Sequence, residues 1–379
     1  MTLTTHTRQS VLNDRHKALG ADLSVASWND MPLPQTYKTD PYEETAAVRY
    51  RAGLIDVTAL RMVNVSGPDA AKFLNLLLTT DVTKAKAGDS HISNIVNENG
   101  GLIDDVLIYV DGPNEYRVSH GGGAFEVAIV PLLDKFDVKV ERDNDVHILS
   151  LQGPAALDVL APHTELDLAA LPYFEHRKTT LFGEPVRLAR GGYSGERGYE
   201  VFCSAADAPF IWDSILEVGK EKGVIPVSWA CLDIVRVEGG LLFFPFDMPY
   251  PDTTPWEVRA DWTVDLSKPD FIGKKALQAS RDKERSLITG LEVEADRAIA
   301  PGAKVTADGK DVGVVTSTTF SQHLMKSLAM AQIAPDFTKL GTELTVEDNG
   351  NFPAVVVKMP FYDPLRLRTH PPRILASVR

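Results

Sequence analysis

Asn97-Glu98-Asn99-Gly100-Gly101-Leu102-Ile103-Asp104-Asp105, continued by Val106-Leu107-Ile108-Tyr109-Val110, is the segment from which the rest of this chain can be read. It has the pattern of a strand, a tight turn and a second strand. Asn99-Gly100-Gly101 supplies the turn, because Asn and Gly tolerate positive φ at little steric cost. The second strand opens on two acids and then becomes apolar. A carboxylate at the mouth of a buried strand costs free energy unless something uses its charge. Side chains alternate across a strand, so only one of Asp104 and Asp105 can look inward. The pair reads either as a polar strand end in solvent or as a carboxylate kept for a ligand.

On both sides of this hairpin lies an internal echo. Val63-Asn64-Val65-Ser66-Gly67-Pro68 alternates apolar and polar, turns at Gly-Pro, and passes into the helical spacing of Asp69 to Leu74. Leu149-Ser150-Leu151-Gln152-Gly153-Pro154 does the same before Ala155 to Leu160. Proline fits a first helical turn, where its missing N–H costs nothing. Two strand–Gly-Pro–helix units predict two similar α+β subdomains. Glu200, in Gly198-Tyr199-Glu200-Val201-Phe202, shares a strand face with Phe202 and points either to solvent or to a polar ligand. Helices are expected over Tyr42–Tyr50, Ala208–Lys220 and Trp229–Leu241. Phe243-Phe244-Pro245-Phe246-Asp247-Met248 is too aromatic for a free loop and reads as a pocket wall or a subdomain contact. From Ser286 onward, short alternating strands recur with Gly turns and no substantial helix, the pattern of a separate small β-barrel or sandwich. An irregular tail follows at Thr369–Arg373.

Composition excludes several classes. A net charge of -13 with no basic stripe argues against nucleic acid and against an anionic membrane surface. No run of eighteen apolar residues occurs, and Met1–Arg8 has no apolar signal core, so the expected location is cytoplasmic. Cys203 and Cys231 lack metal-ligand spacing and read as free thiols; the nine histidines contain no H-x-x-x-H pair, so no metal site is expected. Gly121-Gly122-Gly123 lacks dinucleotide-binding spacing and reads as a close approach of backbone to a ligand or strand.

Taken in order, Asn97–Asp105, Gly192-Tyr193-Ser194-Gly195-Glu196-Arg197-Gly198-Tyr199-Glu200, Pro255-Trp256-Glu257-Val258, Phe271–Leu277 and Gly313–Ser317 resemble the aminomethyltransferases, the folate-using T-proteins of glycine cleavage and their relatives. The resemblance runs from Trp28 to Arg368. It implies an α+β fold: two related folate-binding subdomains around a central cavity, plus a C-terminal β-barrel. The implied boundaries are 1–60 with 145–285, then 61–144, then 286–379.

By the resemblance, Asp105 aligns with the catalytic aspartate and Glu200 with the glutamate that bonds the pterin of tetrahydrofolate. Tyr193 and Phe174 match aromatic positions around the folate, and His120 stands where T-proteins carry Asn. The T-protein arginine that helps bind the folate tail is Leu232 here, a role that Arg366 or Arg368 is expected to take. A T-protein tyrosine is replaced by Ile92, and Tyr-Gly-x-Asp-Met becomes Phe244-Pro245-Phe246-Asp247-Met248. Each change removes a polar group, which resembles the family's demethylase branch, acting on sulfonium compounds, aryl methyl ethers or N-methyl compounds. The implied reaction moves a methyl group from a small S-, O- or N-methyl donor to N5 of tetrahydrofolate. His120 and Tyr37 are candidate acids for the leaving group; His120 reads more readily as a satisfied core histidine. Ile92, Tyr37, Phe244 and Phe246 form the expected donor pocket. Three alternatives stay open: a T-protein working with a lipoyl carrier protein, a non-enzymatic folate-binding accessory protein, and a folate domain detached from a flavin dehydrogenase. Arg236–Met248 lacks the cysteine of the accessory branch, and no flavin fingerprint precedes the folate motifs.

Overall fold

The structure is a computed structural model and describes residues 8–370. The first seven residues of the polar N-terminus, and Pro371–Arg373 of the tail, lie outside the described residues. Helix α1 (Asn13–Ala18) and the short strands β1 (Ser27–Trp28) and β2 (Met31–Pro32) lead to α2 (Pro41–Tyr50) and β3 (Gly53–Asp56). Asp40 accepts from the N–H of Tyr42 at 2.8 Å and Pro41 opens the first turn, which is why α2 starts there.

The echo is real in three dimensions. In the first copy β4 (Arg61–Ser66) turns at Gly67 into α3 (Ala70–Leu77). A meander follows, β5 (Ser90–Val96), β6 (Leu102–Gly112) and β7 (Glu115–His120), then α4 (Phe125–Ile129) and β8 (Lys139–Arg142). In the second copy β9 (His147–Gln152) turns at Gly153 into α5 (Ala156–Leu160). The meander is β10 (His176–Leu181), β11 (Glu184–Arg190) and β12 (Gly198–Cys203), then α6 (Ala208–Gly219), β13 (Ile225–Pro226) and α7 (Trp229–Glu238). The strand orders are β5-β6-β7-β4-β8 and β10-β11-β12-β9-β3-β13. In both, the strand before the Gly-Pro turn sits between the last meander strand and one further strand. Gly67 and Gly153 have φ of 124° and 133°, and a Cβ on either would come within 2.6 Å of a backbone oxygen. Only glycine fits there.

Each sheet buries one face under its own helices. Val63, Phe73, Leu74, Ile108 and Val118 share one core; Leu149, Leu151, Tyr199, Val201 and Trp212 share the other. The opposite faces meet through Ile55, Met62, Tyr109, Ile148 and Phe202. Behind α8 (Lys274–Ser280), strands β14 (Leu287–Val293), β15 (Lys304–Ala307), β16 (Lys310–Ser321), β17 (Lys326–Ile333), β18 (Glu343–Glu347) and β19 (Asn351–Val357) close into a barrel ordered β14-β17-β16-β15-β18-β19. Of the two folds expected for this region, barrel and sandwich, the barrel is found.

The stretch from Leu241 to Arg285 packs between the hairpin and the barrel. Trp256, Val258, Phe271 and Leu277 pack with Val96 and Leu102 of the hairpin and with Ile288, Leu328 and Met330 of the barrel. Leu102 donates its N–H to Thr253 O at 2.7 Å. The segment thus covers the apolar base of the hairpin instead of joining the sheet that holds β9. A buried ion network ties the lobes together. Arg49 donates to Glu238 at 2.9 and 2.7 Å, Ser321 of the barrel donates to the same carboxylate at 2.5 Å, and Arg368 of the tail donates to Glu196 at 2.9 Å. Among the described residues no helix is long and apolar enough to cross a membrane.

Candidate functional site

Between the two facing sheets lies a cavity of about 760 Å³. The first acid comes from β6, just past a bulge. Val96 pairs with Leu102 but Ile95 pairs with Asp104, so Ile103 is the extra residue. Beyond the bulge, Asp104, Val106 and Ile108 turn to the helices, while Asp105, Leu107 and Tyr109 turn to the cavity. The second acid comes from β12, where Glu200 and Phe202 face the cavity and Tyr199 and Val201 face the helices. The two lobes meet at these residues: Tyr109 donates its hydroxyl to Glu200 Oε2 at 3.3 Å.

Both carboxyls sit half-buried in the cavity wall. Burial, with Asp104 next along the strand, pushes Asp105 up to about 7. Burial pushes Glu200 up to about 7 as well, with the Tyr109 hydroxyl opposing. Desolvation disfavours the charged form of an acid, so both groups hold a proton more tightly than usual.

The surrounding wall is mostly aromatic and aliphatic. Tyr193 anchors its hydroxyl on the carbonyl of Leu242. Phe174 adopts φ 62°, a strained value for an aromatic residue, and is clamped at its backbone. Its carbonyl accepts from Ser90 N–H and Oγ at 2.7 and 2.9 Å, and its N–H donates to Arg190 O at 2.9 Å. Ile92, Phe244 and Leu232 also line the cavity. Arg366 stands exposed at the mouth, whereas Arg368 is engaged by Glu196 and by Arg49 O.

Three expected site residues lie elsewhere. Tyr37 is buried beside α1, bonded to His16 Nδ1 at 2.9 Å, and His16 Nε2 lies 3.0 Å from Asp56. It serves to tie the N-terminal segment down. Phe246 is 63% exposed and stacks on Phe243, which is the residue that lines the cavity. His120 pairs with Val106 across β6–β7, so the pleat turns its ring to the helix face. Its backbone borders the cavity, but the ring lies against Phe125 with Nδ1 3.4 Å from Asp104. The residues that sequence reasoning missed are Tyr109, Trp28, Trp229, Tyr173 and Arg190. Tyr109 was within reach, since it lies four positions from Asp105 on one strand. The others come from distant segments and carry no spacing signal. Among the described residues no group of three or more metal-ligating side chains gathers.

Comparison with known proteins decides the family. Residues 12–268 match the GCVT N-terminal domain, and residues 287–363 match the glycine cleavage T-protein C-terminal barrel domain. The chain belongs to the aminomethyltransferase family. Relatives of this family member include the "heme-dependent oxidative N-demethylase gamma subunit" of Ectopseudomonas mendocina, 40% identical over 365 residues and covering 94% of this chain and 96% of that one. The aminomethyltransferase of Saccharopolyspora erythraea is 36% identical, covering 94% and 98%. The crystal structure of glycine cleavage system aminomethyltransferase T from Bartonella henselae superposes with a TM-score of 0.86 at 27% identity, covering 95% of this chain and 99% of that one. The family is one of one-carbon transfer enzymes, with a demethylase subunit among the named relatives.

Proposed function

We propose that this chain transfers a methyl group from a small N-methylated donor to N5 of tetrahydrofolate. The observation that carries the reading is the pair of half-buried acids, Asp105 and Glu200, facing one aromatic-walled cavity from two different sheets. Glu200 has one oxygen bonded by Tyr109 and a second without a side-chain partner among the described residues. That is an acceptor set suited to the N–H donors of an aminopyrimidine edge. Tetrahydrofolate, when bound, supplies the nucleophilic nitrogen.

The chain's own residues do the rest. Glu200 accepts the ring N–H bonds, and Tyr109 holds Glu200 in place. Phe174 and Tyr193 pack the ring system. Arg366 takes an anionic tail group at the mouth. Ile92, Leu107 and Leu232 keep water from the reacting carbon, and the enclosed geometry holds donor and acceptor at attack distance. Asp105 receives the proton released as the nitrogen is alkylated, for which a carboxyl held near 7 is well matched. The carbon–nitrogen bond of an ammonium donor breaks with its electron pair going to the amine, which leaves neutral. The choice of an N-methyl donor over S- and O-methyl compounds rests on the N-demethylase subunit among the relatives; that name, heme-dependent and oxidative, supports the donor class and not the displacement step.

A second reading is aminomethyl transfer of the T-protein kind, from a lipoyl carrier protein, with 5,10-methylene-tetrahydrofolate as product. Asp105 favours it, because an acid near 7 can also protonate a departing amine. Leu232, in place of the T-protein arginine, counts against it. The test is an anaerobic screen of methylated amines, sulfonium compounds and aryl methyl ethers with tetrahydrofolate, products separated by chromatography. Demethylated amine with 5-methyl product supports the first reading. A 5,10-methylene product from an aminomethylated carrier supports the second, and no folate product with any donor overturns both.

A further inference from the structure

Directly behind Asp105, on the other face of the same strand, lies a polar pair that no step above uses. Asp104 is fully buried. Its Oδ2 accepts the N–H of Phe125 at the start of α4 at 2.9 Å, while its Oδ1 has no partner among the described residues. His120 is 2% exposed, and neither of its ring nitrogens has a hydrogen-bond partner there. Its Nδ1 sits 3.4 Å from Asp104 Oδ2, within charge-pairing distance but beyond a formed hydrogen bond. Three unpartnered polar atoms in one sealed pocket are uncommon, because each leaves its desolvation uncompensated. Gly123 closes the pocket: a Cβ there would lie 2.1 Å from Asp104 Cγ. The glycine run noticed in the sequence therefore lets the backbone cross over this carboxyl.

The charges around the pair are otherwise committed. Glu126 of α4 is bound by Arg142 of β8 and by Arg61 of β4, and Arg61 also binds Asp30 at 2.6 Å. Arg8 donates to the carbonyls of Thr58, Ala59 and Leu60. On the cavity side, Tyr193, Tyr109 and Glu200 share the cavity with Asp105; the Tyr193 hydroxyl is held by Leu242 and the Tyr109 hydroxyl by Glu200. Among the described residues of this cluster, Asp104 Oδ1 and both ring nitrogens of His120 are left without partners, as is Arg61 Nε.

We propose that Asp104 and His120 act as a positioning pair for Asp105, setting through the strand how tightly Asp105 holds its proton. Adjacent carboxyls in a poorly screened interior repel when both are charged. An imidazolium at His120 would cancel the Asp104 charge felt by Asp105, and a neutral imidazole would leave it acting. The net charge of this pair therefore tightens or loosens Asp105 without any group entering the cavity. The inference rests on the reading of Asp105 as the proton-handling group, but its test does not need folate.

Asp104→Asn keeps an oxygen for the Phe125 N–H and removes the charge. His120→Phe keeps a ring against Phe125 and removes the compensating group. The titration of Asp105 is followed by carboxyl carbon-13 NMR in the folate-free protein, and the pH profile of turnover is recorded alongside. We expect Asp105 to titrate lower by about one unit in Asp104→Asn and to move upward in His120→Phe. An Asp105 titration within 0.3 of wild type in Asp104→Asn, or shifts of the same sign in both variants, overturns the proposal. Should Asp104→Asn fail to fold, the sign of the His120→Phe shift decides: downward or absent overturns it. Absence of folate turnover together with the expected titrations would count against the reaction, not against the pair.

Discussion

Replacing Glu200 with Gln tests the heart of the site. The substitution keeps the shape and the oxygen that Tyr109 bonds at 3.3 Å, and removes only the charge. Hydrogen bonds to a charged group contribute about 1.5–3 kcal/mol, so Kd for tetrahydrofolate should rise by about 10- to 150-fold. The pH dependence sharpens the test. Glu200 lies near 7 in the free protein, so about one molecule in eleven carries the carboxylate at pH 6 and about ten in eleven at pH 8. If the ligand takes the ionised form, wild-type affinity climbs about tenfold from pH 6 to pH 8. Asp105 titrates in the same range, so Asp105→Asn serves as the background in which the Glu200 contribution is read alone. Anaerobic calorimetry at pH 6, 7 and 8 gives both quantities. A Gln variant that binds within twofold of wild type, or keeps the wild-type pH slope in that background, would refute the assignment of Glu200 to the ring.

Asp105→Asn should lower kcat by about 10²- to 10⁴-fold, the usual range for a lost acid–base group, measured by product formation at saturating folate. The same variant should be at least as heat-stable as wild type. Burial raises the acid's folded value, so ionising it weakens the fold; the variant's gain is full above about pH 7 and shrinks as pH falls toward 4, read by thermal melts across that range. Arg49→Met strands Glu238, which is wholly buried, and should cost about 3–5 kcal/mol in urea unfolding; a loss below 1 kcal/mol would mean that the network is not holding the lobes. Phe246→Ala and Tyr37→Phe should leave kcat and KM within about twofold, since neither ring reaches the cavity. A large kinetic effect of either would reinstate it in the donor pocket.

Much of the architecture is legible in the amino-acid sequence. The alternation of Val63–Ser66 and Leu149–Gln152, each broken by Gly-Pro, announced two related lobes, because local backbone geometry and side-chain period act within a few residues. The same period assigned Glu200 and Phe202 to one face and Tyr199 and Val201 to the other. It was equally capable of warning that His120, opposite Val106, would turn from the cavity, but that needs the register between two strands. Tyr37 and Phe246 misled for a related reason. An aromatic residue near a motif says nothing about which of its surfaces ends up enclosed.

The amino-acid order alone was enough for the two lobes and the hairpin, since turns, pleats and helix starts answer to neighbours in the chain; the barrel was one of two folds it allowed, and Asp105 and Glu200 were singled out by resemblance to the family. Asp105 shares a face with Leu107 and Tyr109 by plain alternation along the strand, but which of the two faces meets the cavity is settled by how the sheets pack. The raised proton affinity of Asp105 and Glu200, the Tyr109 bridge, and the wall of Trp28, Trp229 and Leu232 arise where separate segments exclude water together. Desolvation belongs to an enclosure, and no single stretch of sequence contains one.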